Sequence, residues 1–376
     1  MRVLHVFKTY WPETYGGIER AINSIAEGTA DLGASSTVFT LASHTADLPE
    51  TLGRQRIVRA KRTFEVASTG LSLNAIGGFR QSVAEADLVH YHFPWPFMDV
   101  LHFAGRVRKP AVLSYHSDIV KQRRMLQVYR PLMNRFLSRM DAIVATSPDY
   151  AATSPTLSAF INQLHIIPLG LERRDHPPAA PELLASWRQR FPRPFFLFTG
   201  VFRYYKGLHI LIEAAKAVDA DIVLVGAGPE EGALRAQALG LGAANVHFVG
   251  AVEDADKNAL LELCRGFVFP SHLRSEAYGL SLVEAAMMGK PMISCEIGSG
   301  MSFINRDGET GIVVPPRDPR ALGAAMRVLV EDPAESRRMG EAAQERYREQ
   351  FTAKRMAASY FALYQDVLSR GKSRRP

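Results

Sequence analysis

The sequence has few of the features that mark secreted, membrane-spanning or low-complexity proteins. It contains only two cysteines, Cys264 and Cys295, and both fall in or beside apolar strand-like runs, so we expect buried thiols with no disulfide or metal site. The N-terminal apolar run stops at Lys8, too early for a secretory signal, and no uninterrupted apolar run of about 18 residues occurs. We therefore expect a cytoplasmic protein, or one attached to a membrane surface without spanning it.

Acidic residues are absent from residues 119–140, where apolar side chains interleave with basic ones. This spacing predicts a basic amphipathic helical hairpin, or a helix bent at Pro131. Such a surface favours an anionic membrane, but a helix with a solvated basic face packed on its own domain explains the same pattern. Nucleic acid is disfavoured because no binding motif accompanies the charge. The basic residues are Lys121, Arg123, Arg124, Arg130, Arg135 and Arg139.

Short apolar runs alternate with helix-forming segments along most of the 376 residues, a length that fits two domains. Continuous apolar runs of this kind predict parallel strands covered on both faces. Two successive series predict an α/β protein with two facing Rossmann-like, doubly wound domains and ligands at the carboxyl ends of both sets of strands. The runs are 3–7, 36–41, 86–90, 111–115, 142–146 and 165–167, then 195–200, 221–228, 245–250, 266–270, 291–296 and 311–315.

A cluster of prolines, Pro177, Pro178 and Pro181, breaks the composition between the two series. We expect the domains to comprise residues 1–178 and 179–352. Residues 42–80 carry turn signals and short alternating runs that the pattern does not assign.

The segment SEAYGLSLVE, Ser275 to Glu284, follows an apolar run and precedes a helix-forming stretch. The pattern predicts a loop and then a helix beginning at Gly279 or Leu280, with Glu276 in the loop and Glu284 one turn into the helix. Unpaired amides of the first helical turn suit a phosphate, and carboxylates on either side suit sugar hydroxyls. The spacing alone also fits one loop glutamate and one solvated helix glutamate.

Two further loops combine glycine with a strand-to-helix transition. GVFRYYKG, residues 200–207, would project Arg203 and Lys206 near a helix N-terminus, where a diphosphate could be held, although two surface cations explain the same residues. Gly16 and Gly17 follow the first predicted strand and let the backbone approach a phosphate closely.

Other patterns favour or exclude particular chemistry. SYHSD, residues 114–118, places His116 and Asp118 at the carboxyl end of a predicted strand. No G-x-S-x-G occurs, and the loop at 226–229 lacks the third glycine of a dinucleotide fingerprint, so a serine hydrolase and a nicotinamide enzyme are disfavoured. The D-x-D pairs at 219–221 and 254–256 are explained by helix capping and solvation, so we predict no obligatory metal.

Taken together, these motifs resemble the retaining glycosyltransferases of family 4, which have the GT-B fold. The resemblance covers nearly the whole chain, and the matching motifs appear in the family's order: Gly16–Gly17, SYHSD, VATS at 144–147, GVFRYYKG, VGAGP and E-x7-E. It implies transfer of a hexose from a nucleotide-sugar with retention at the anomeric carbon. Stabilisation of the departing diphosphate would carry much of the catalysis.

The resemblance implies roles for individual residues. The diphosphate would be neutralised by Arg203, Lys206 and the amides of Gly279 and Leu280, and closed off by Gly16 and Gly17 from the facing domain. The sugars would be held by Glu276 on the hexose, Glu284 on the ribose and His116 on the hexose or leaving phosphate. The remaining assignments are Tyr278 to the donor, Gly228 and Val252 to the nucleobase, and Asp118 and Lys121 to the acceptor. The chain departs from the family's commonest pattern because Val201 directly follows Gly200 and the arginine comes two residues later.

The wording HSDIVKQ at 116–122, together with RYYKGL at 203–208, resembles bacterial O-antigen mannosyl- and rhamnosyltransferases. The resemblance implies a GDP-linked mannose or rhamnose donor, a lipid-linked or oligosaccharide acceptor, and a peripheral position on the inner face of the cytoplasmic membrane. It also implies that residues 353–376 form a helix packing back on the N-terminal domain. Three alternatives remain: a UDP-sugar-dependent transferase, a phosphorylase or epimerase of the same fold, and a catalytically silent nucleotide-sugar-binding protein.

Overall fold

The computed structural model describes residues 1–44, 48–66, 69–119 and 123–373, and the chain divides into two compact units. Unit 1 comprises Met1–Gly170 and Ala353–Pro376, and unit 2 comprises Leu171–Thr352. Each unit is an α/β structure built on one large sheet of mainly parallel strands. Among the described residues, no helix is both long enough and apolar enough to cross a bilayer.

The boundary between the units lies before the proline cluster, whereas the sequence placed it within that cluster. Pro177 already belongs to unit 2, where its carbonyl oxygen accepts a hydrogen bond from the Asn258 side chain. The backbone N–H of Ala179 donates to Glu262 in the same unit. The prolines therefore form a segment anchored on unit 2, and the transition falls at Gly170–Leu171.

Unit 1 contains strands β1 to β10 and a single large eight-stranded sheet. The strands are β1 (Arg2–Val6), β2 (Ser35–Ala42), β3 (Thr51–Leu52), β4 (Gln55–Lys61), β5 (Phe64–Val66), β6 (Thr69–Leu71), β7 (Leu88–Phe93), β8 (Ala111–Tyr115), β9 (Ala142–Ala145) and β10 (Leu164–Ile166). The sheet order is β10-β9-β8-β7-β1-β2-β4-β3, parallel except for β3, while β5 and β6 form a separate antiparallel pair. Every residue of β7, β8 and β9 is buried, as their continuous apolar runs predict.

The described residues of unit 1 form six α-helices. They are α1 (Gly17–Ala30), α2 (Ala75–Glu85), α3 (Pro96–Ala104), α4 (Arg123–Leu137), α5 (Pro148–Thr153) and the C-terminal α14 (Ala353–Ser373). Helix α14 packs on α1, and the two approach so closely at Gly28 that a Cβ there would lie 2.5 Å from Cβ of Ala357. The basic segment forms one helix with Pro131 inside it, so the alternative of a helical hairpin is wrong.

Unit 2 contains a six-stranded, wholly parallel sheet in the order β13-β12-β11-β14-β15-β16. The strands are β11 (Phe195–Thr199), β12 (Asp221–Val225), β13 (Val246–Gly250), β14 (Gly266–Phe269), β15 (Met292–Cys295) and β16 (Gly311–Val314). The helices are α6 (Pro181–Arg190), α7 (Leu208–Ala214), α8 (Glu231–Gly240), α9 (Asp254–Leu263), α10 (Leu280–Met287), α11 (Gly300–Ile304), α12 (Pro319–Glu331) and α13 (Pro333–Gln350).

Residues 42–80, which the sequence pattern did not assign, contain the edge strand β3, its neighbour β4, the β5–β6 pair and the start of α2. Strand β4 alternates buried and exposed residues only over its first part, and the two-residue β3 is too short to show a period. Edge strands are solvated on more sides than central ones, so they lack the apolar runs that revealed the others.

Candidate functional site

The two predicted donor-binding loops of unit 2 follow neighbouring strands at the centre of the sheet. β11 and β14 pair side by side, and the chain reverses its direction of progression across the sheet at this point. Loops at the carboxyl ends of such a pair separate and leave a crevice, which is where open α/β sheets bind ligands. The topology thus brings GVFRYYKG, after β11, to the same edge as SEAYGLSLVE, after β14.

Lys206 and Glu276, taken from these two loops, form an ion pair. Lys206 Nζ lies 2.5 Å from Glu276 Oε2, and each side chain is only 12% exposed. The ammonium also lies 4.3 Å from the centre of the Phe269 ring, where it gains a cation–π contact. Gly207 permits the turn, since its φ is +73° and a Cβ there would overlap the carbonyl oxygen of Pro270. The two loops are therefore held against each other by charge and by close backbone packing.

Arg203 lies three residues before Lys206 on the same loop, in a more exposed position. The residue is exposed, and within the described part of the chain the structure records no hydrogen bond or ion pair for its side chain. It lines a small cavity of about 130 Å³ with Tyr204, His209 and Glu230. Arg203 is thus available to an anion, whereas Lys206 is already paired with Glu276.

Helix α10 begins at Leu280, as the sequence predicted, and Gly279 precedes it with φ at +90°. This left-handed conformation is accessible to glycine at little cost, and a Cβ would also lie 3.2 Å from both Leu282 and Phe269. The amides of Leu280 and Ser281, the first two of α10, precede the first hydrogen bond of the helix, which Leu282 donates to the carbonyl of Gly279, and they carry the positive end of the helix dipole. They lie directly after the loop that bears Glu276.

Glu284 is buried in α10, with 5% of its surface exposed, and is not the solvated helix glutamate that the spacing alone allowed. Lys257 of α9 donates to its Oε1 at 2.9 Å and lies 3.0 Å from Oδ1 of Asp254. Burial opposes the charge of Lys257, but the two carboxylates outweigh it and raise the pKa of the ammonium. The sequence analysis missed Lys257, because a lysine three residues after an aspartate on a helix resembles any surface ion pair.

Gly228, in the VGAGP segment after β12, packs against the GVFRYYKG loop that follows β11. A Cβ on Gly228 would lie 2.5 Å from the carbonyl oxygen of Phe202 and 2.6 Å from its nitrogen. The Phe202 N–H donates to the carbonyl of Ala227 in return. Gly228 therefore lets the segment after β12 pack directly on the backbone of the residue before Arg203, which gives it a structural role beside any contact with a nucleobase.

The remaining donor-site candidates of unit 2 differ in exposure. Val252 is half-buried in the turn between β13 and α9. Tyr278 is buried, and its ring packs on Gly300, where a Cβ would come within 2.7 Å of the ring. The aromatic residue thus packs the loop against α11, and the Gly300 N–H donates to the carbonyl oxygen of Ala277 beside it.

Both D-x-D pairs are occupied by protein contacts. Asp219 and Asp221 form ion pairs with Arg193. Asp256 accepts a hydrogen bond from the indole nitrogen of Trp187, and Asp254 pairs with Lys257. The expectation of helix capping for the second pair is wrong, because Glu253 is the N-cap residue and Asp254 is already in the first turn of α9.

Gly16 and Gly17 occupy the start of α1 in unit 1, directly after the loop that follows β1. A Cβ added to Gly17 would meet open space, with nothing within 4 Å, whereas a Cβ on Gly16 would lie 2.4 Å from an oxygen of Glu19. Glu19 is buried and accepts hydrogen bonds from the hydroxyls of Thr9 and Thr14. This carboxylate ties the loop to the helix and leaves the first amides of α1 at the surface.

His116 is buried just after β8 and belongs to a connected set of histidines. Its Nε2 lies 3.0 Å from Nδ1 of His92, and Nε2 of His92 lies 3.1 Å from Nδ1 of His5. Burial lowers the pKa of His116 to about 4 and that of His5 to about 3, so the rings are neutral at pH 7. The sequence contained a signal for this set that went unused: His90 and His92 are two apart on a strand and therefore share a face.

Asp118 is held by the protein itself. Its Oδ1 accepts hydrogen bonds from the hydroxyls of Tyr115, at 2.9 Å, and Ser154, at 2.8 Å, and its backbone N–H donates to Tyr150. These contacts organise the loop after β8. Lys121, the other acceptor-site candidate, lies outside the described residues.

Helix α4 has the two faces that its sequence indicated. Met133, Phe136 and Leu137 are buried, while Arg130, Arg135 and Arg139, in and just beyond the helix, are exposed. Val128 is 85% exposed on the solvent side. The apolar face therefore packs within unit 1, and the exposed surface is basic with a single large apolar side chain among the described residues of the helix.

Comparison with known proteins matches both halves of the chain to described families. Residues 15–174 match Glycosyltransferase Family 4, and residues 182–346 match Glycosyl transferases group 1. The chain is 51% identical to the D-rhamnosyltransferase WbpZ of Pseudomonas aeruginosa, over 94% of this chain and 93% of that protein. It is 47% identical to the O-antigen chain mannosyltransferase C of Escherichia coli, over 98% of this chain and 99% of that protein.

Solved structures share the fold at low identity. Sucrose-phosphate synthase from Thermosynechococcus elongatus superposes with a TM-score of 0.79 at 20% identity, covering 98% of this chain and 99% of that one. Anabaena HepE in complex with UDP and glucose gives a TM-score of 0.77 at 19% identity, covering 97% and 100%. At this level of identity the likeness concerns the fold.

Proposed function

Because this chain belongs to glycosyltransferase family 4 and has the GT-B fold, we propose that it transfers a mannosyl or rhamnosyl residue from a GDP-linked donor to a growing O-antigen or related glycan. The observation that carries the proposal is the near-complete coverage, at about half identity, of relatives named as a D-rhamnosyltransferase and an O-antigen mannosyltransferase. The acceptor is a lipid-linked or free oligosaccharide that ends in a sugar hydroxyl.

The crevice between the β11 and β14 loops supports binding of the donor diphosphate. Arg203 has no protein partner among the described residues, and the amides at the start of α10 lack intrahelical acceptors. An oxyanion that gains charge as the glycosidic bond breaks is stabilised by such preorganised groups. Lys206 would move from Glu276 alone to a position between that carboxylate and the diphosphate. Charge stabilisation of the leaving group is thus the main catalytic contribution of unit 2.

The carboxylates are suited to hydroxyl groups of the donor. Glu276 would accept from the transferred hexose, and Glu284 would accept from the ribose, in line with their positions before and inside α10. Lys257 fixes the direction of the Glu284 side chain by donating a hydrogen bond to its Oε1. Gly16 and Gly17 are assigned to the diphosphate, and His116 to the hexose or the leaving phosphate. Val252 and Gly228 are assigned to the nucleobase side of the donor, and Tyr278 to the donor without a specified group.

A transfer assay tests the reaction. Purified enzyme is incubated with GDP-mannose or GDP-rhamnose and a polyprenyl-diphosphate-linked acceptor, and release of GDP and the anomeric configuration of the product are followed by NMR. We expect GDP release only when the acceptor is present, with the donor's anomeric configuration retained. Turnover with UDP-sugars alone would contradict the proposed donor, and nucleotide release without any transfer product would contradict the proposed reaction.

We also propose that the exposed basic face of α4 holds the protein at an anionic membrane surface on the cytoplasmic side. The three exposed arginines at 130, 135 and 139 would contribute attraction that fades as salt rises, because surface charges are screened within about 10 Å at 0.1 M. Reversal of all three to glutamate should release the protein from anionic vesicles at low salt. Equal reversal of Arg188, Arg327 and Arg348 on unit 2 is the control. Retention unchanged by the first set would contradict this role.

A further inference from the structure

A line of hydrogen-bonded side chains crosses the centre of the unit 1 sheet and ends at His116. Ser36 Oγ lies 3.5 Å from His5 Nε2, His5 Nδ1 lies 3.1 Å from His92 Nε2, and His92 Nδ1 lies 3.0 Å from His116 Nε2. The four residues come from β2, β1, β7 and the end of β8, which lie side by side in the sheet in that order. We name them the histidine chain. All four are at least nine-tenths buried.

The direction of the hydrogen bonds in the histidine chain follows from counting donors. A neutral imidazole carries one N–H, so fixing one bond fixes all three. Within the described residues the Ser36 hydroxyl has only His5 as a partner, so its proton is satisfied only if Ser36 donates to His5 Nε2. His5 then donates from Nδ1 to His92, and His92 donates from Nδ1 to His116. The opposite direction would bury a hydroxyl proton without an acceptor, which is costly.

This direction determines which nitrogen of His116 carries the proton. His116 accepts at Nε2, so its own proton is on Nδ1, the nitrogen for which the described residues supply no hydrogen-bond partner. The side chain therefore offers one N–H donor at the carboxyl edge of the sheet.

Other groups around the histidine chain keep it uncharged. The His90 ring lies tilted against that of His92, with ring centres 4.2 Å apart, and His90 is itself hydrogen-bonded to Tyr364 and Ser114. Burial lowers the pKa of His90 and of His92 well below the usual value. The titratable groups that face the histidine chain or flank its outer end are His90, Tyr115, Tyr360, Tyr364 and Asp118, and Asp118 is already bonded to Tyr115 and Ser154.

We propose that Ser36, His5 and His92 are positioning residues that hold His116 in the tautomer with its proton on Nδ1, so that it donates a hydrogen bond to an oxygen of the nucleotide-sugar. This inference rests on the proposed function for the identity of that oxygen, which belongs to a hexose hydroxyl or the diphosphate. At the end away from His116 the histidine chain stops at the buried Ser36, so it orients a proton and does not conduct one. It also keeps His116 from becoming an imidazolium beside an anionic substrate.

A metal site would use some of the same side chains. His5, His90 and His92 each place a nitrogen within 4.8 Å of the others. Both nitrogens of each ring, however, already have a hydrogen-bond partner within the described structure. Binding of an ion would break bonds that the histidine chain needs, so the two arrangements exclude each other and can be distinguished.

The direct test is ¹⁵N NMR of the full-length protein labelled on histidine, with the His116 signals assigned from the His116→Gln variant. We expect Nδ1 of His116 to be protonated and Nε2 to be unprotonated, from about pH 5 to 8. A proton on Nε2, or stoichiometric metal in the purified protein that is lost on His92→Leu, would overturn the inference. Because this readout requires no substrate, its failure is distinct from failure of the proposed function.

Kinetics separate positioning from simple packing. We expect His92→Leu to lower kcat/KM for the donor about tenfold or more, since Nε2 of His116 loses its hydrogen-bond donor and the proton is no longer held on Nδ1. His92→Asn keeps an N–H donor towards His116 and should recover most of the activity. His44→Leu, at an exposed histidine of unit 1, is the control. Equal losses for His92→Leu and His92→Asn would overturn the positioning role.

Discussion

Replacing Lys206 by methionine removes the ammonium that joins the two loops of the crevice while keeping an unbranched side chain that is one atom shorter. In the structure this ammonium lies 2.5 Å from Glu276 and over the ring of Phe269, and both charged side chains are mostly shielded from water. The substitution therefore has two consequences. It leaves Glu276 without its cation, and it removes a positive charge from the place where we propose that the diphosphate binds.

The size of the effect follows from the burial of the pair. Truncating one partner of a buried, hydrogen-bonded charge pair costs about 2–5 kcal/mol. If that loss falls on the transition state, kcat/KM drops about 30-fold to several thousand-fold, at about 1.36 kcal/mol for each factor of ten. The same uncompensated carboxylate should also lower the free energy of unfolding, by about 1–3 kcal/mol.

A double-mutant cycle separates the two consequences. Lys206→Met, Glu276→Gln and the double variant are compared for kcat/KM and for the free energy of unfolding in urea, with the exposed Lys216→Met as control. We expect the double variant to regain stability relative to Lys206→Met, because no unpaired charge remains, while its activity stays low. Near-wild-type kcat/KM for Lys206→Met would refute the assignment of Lys206 to the diphosphate.

Three further perturbations test separate parts of the account. Gly228→Ala should reduce donor affinity and lower the melting temperature, because its Cβ would overlap the backbone of Phe202, next to Arg203. Gly232→Ala is the control and should leave both quantities unchanged, since a Cβ there has nothing within 4 Å. Equal effects of the two substitutions would contradict this packing. Lys257→Met should raise KM for the donor about tenfold or more, because Glu284, the carboxylate that we propose binds the ribose, is left buried without its cation. Lys216→Met should again have no effect. The free energy of unfolding should fall as the pH drops from about 6.5 towards 4, because buried histidines such as His5, with a folded pKa of about 3, bind fewer protons there than they do in the unfolded chain. Urea unfolding across this pH range should show a loss of up to about 1.4 kcal/mol per pH unit for each such histidine. A flat profile would show that these histidines ionise in the folded protein.

The sequence predicted the central strands well because burial on both faces left continuous apolar runs, as in Leu88–Phe93 and Asp221–Val225. It predicted the start of α10 because Gly279 and the following helix formers mark a boundary that depends on local chemistry. The pairing of β11 with β14 was not visible, since the order of strands in a sheet depends on packing between distant segments.

The site residues that escaped sequence analysis act through distant partners. Lys257 is significant because α9 brings it to Glu284, and neither residue's neighbours in sequence indicate the other. The histidine chain depends on the register between β1 and β7, which places His5 opposite His90. Conversely, Asp118 and the D-x-D pairs were candidates because of their residue type alone. In the folded protein Asp118 is hydrogen-bonded to Tyr115 and Ser154. The D-x-D aspartates contact Trp187 and arginine or lysine side chains.

The central claim is that the crevice of unit 2 binds the nucleotide diphosphate of a GDP-linked sugar. Its most direct test is to measure thermal stabilisation of the protein by GDP, UDP and ADP, with and without Mg²⁺. A ligand at a hundredfold excess over its Kd should raise the free energy of unfolding by about 2.7 kcal/mol. The account predicts stabilisation by GDP that does not depend on Mg²⁺ and is largely lost in Glu284→Gln. Stabilisation by UDP alone would contradict the proposed donor, and stabilisation by none, or by GDP unaffected by Glu284→Gln, would contradict the proposed site.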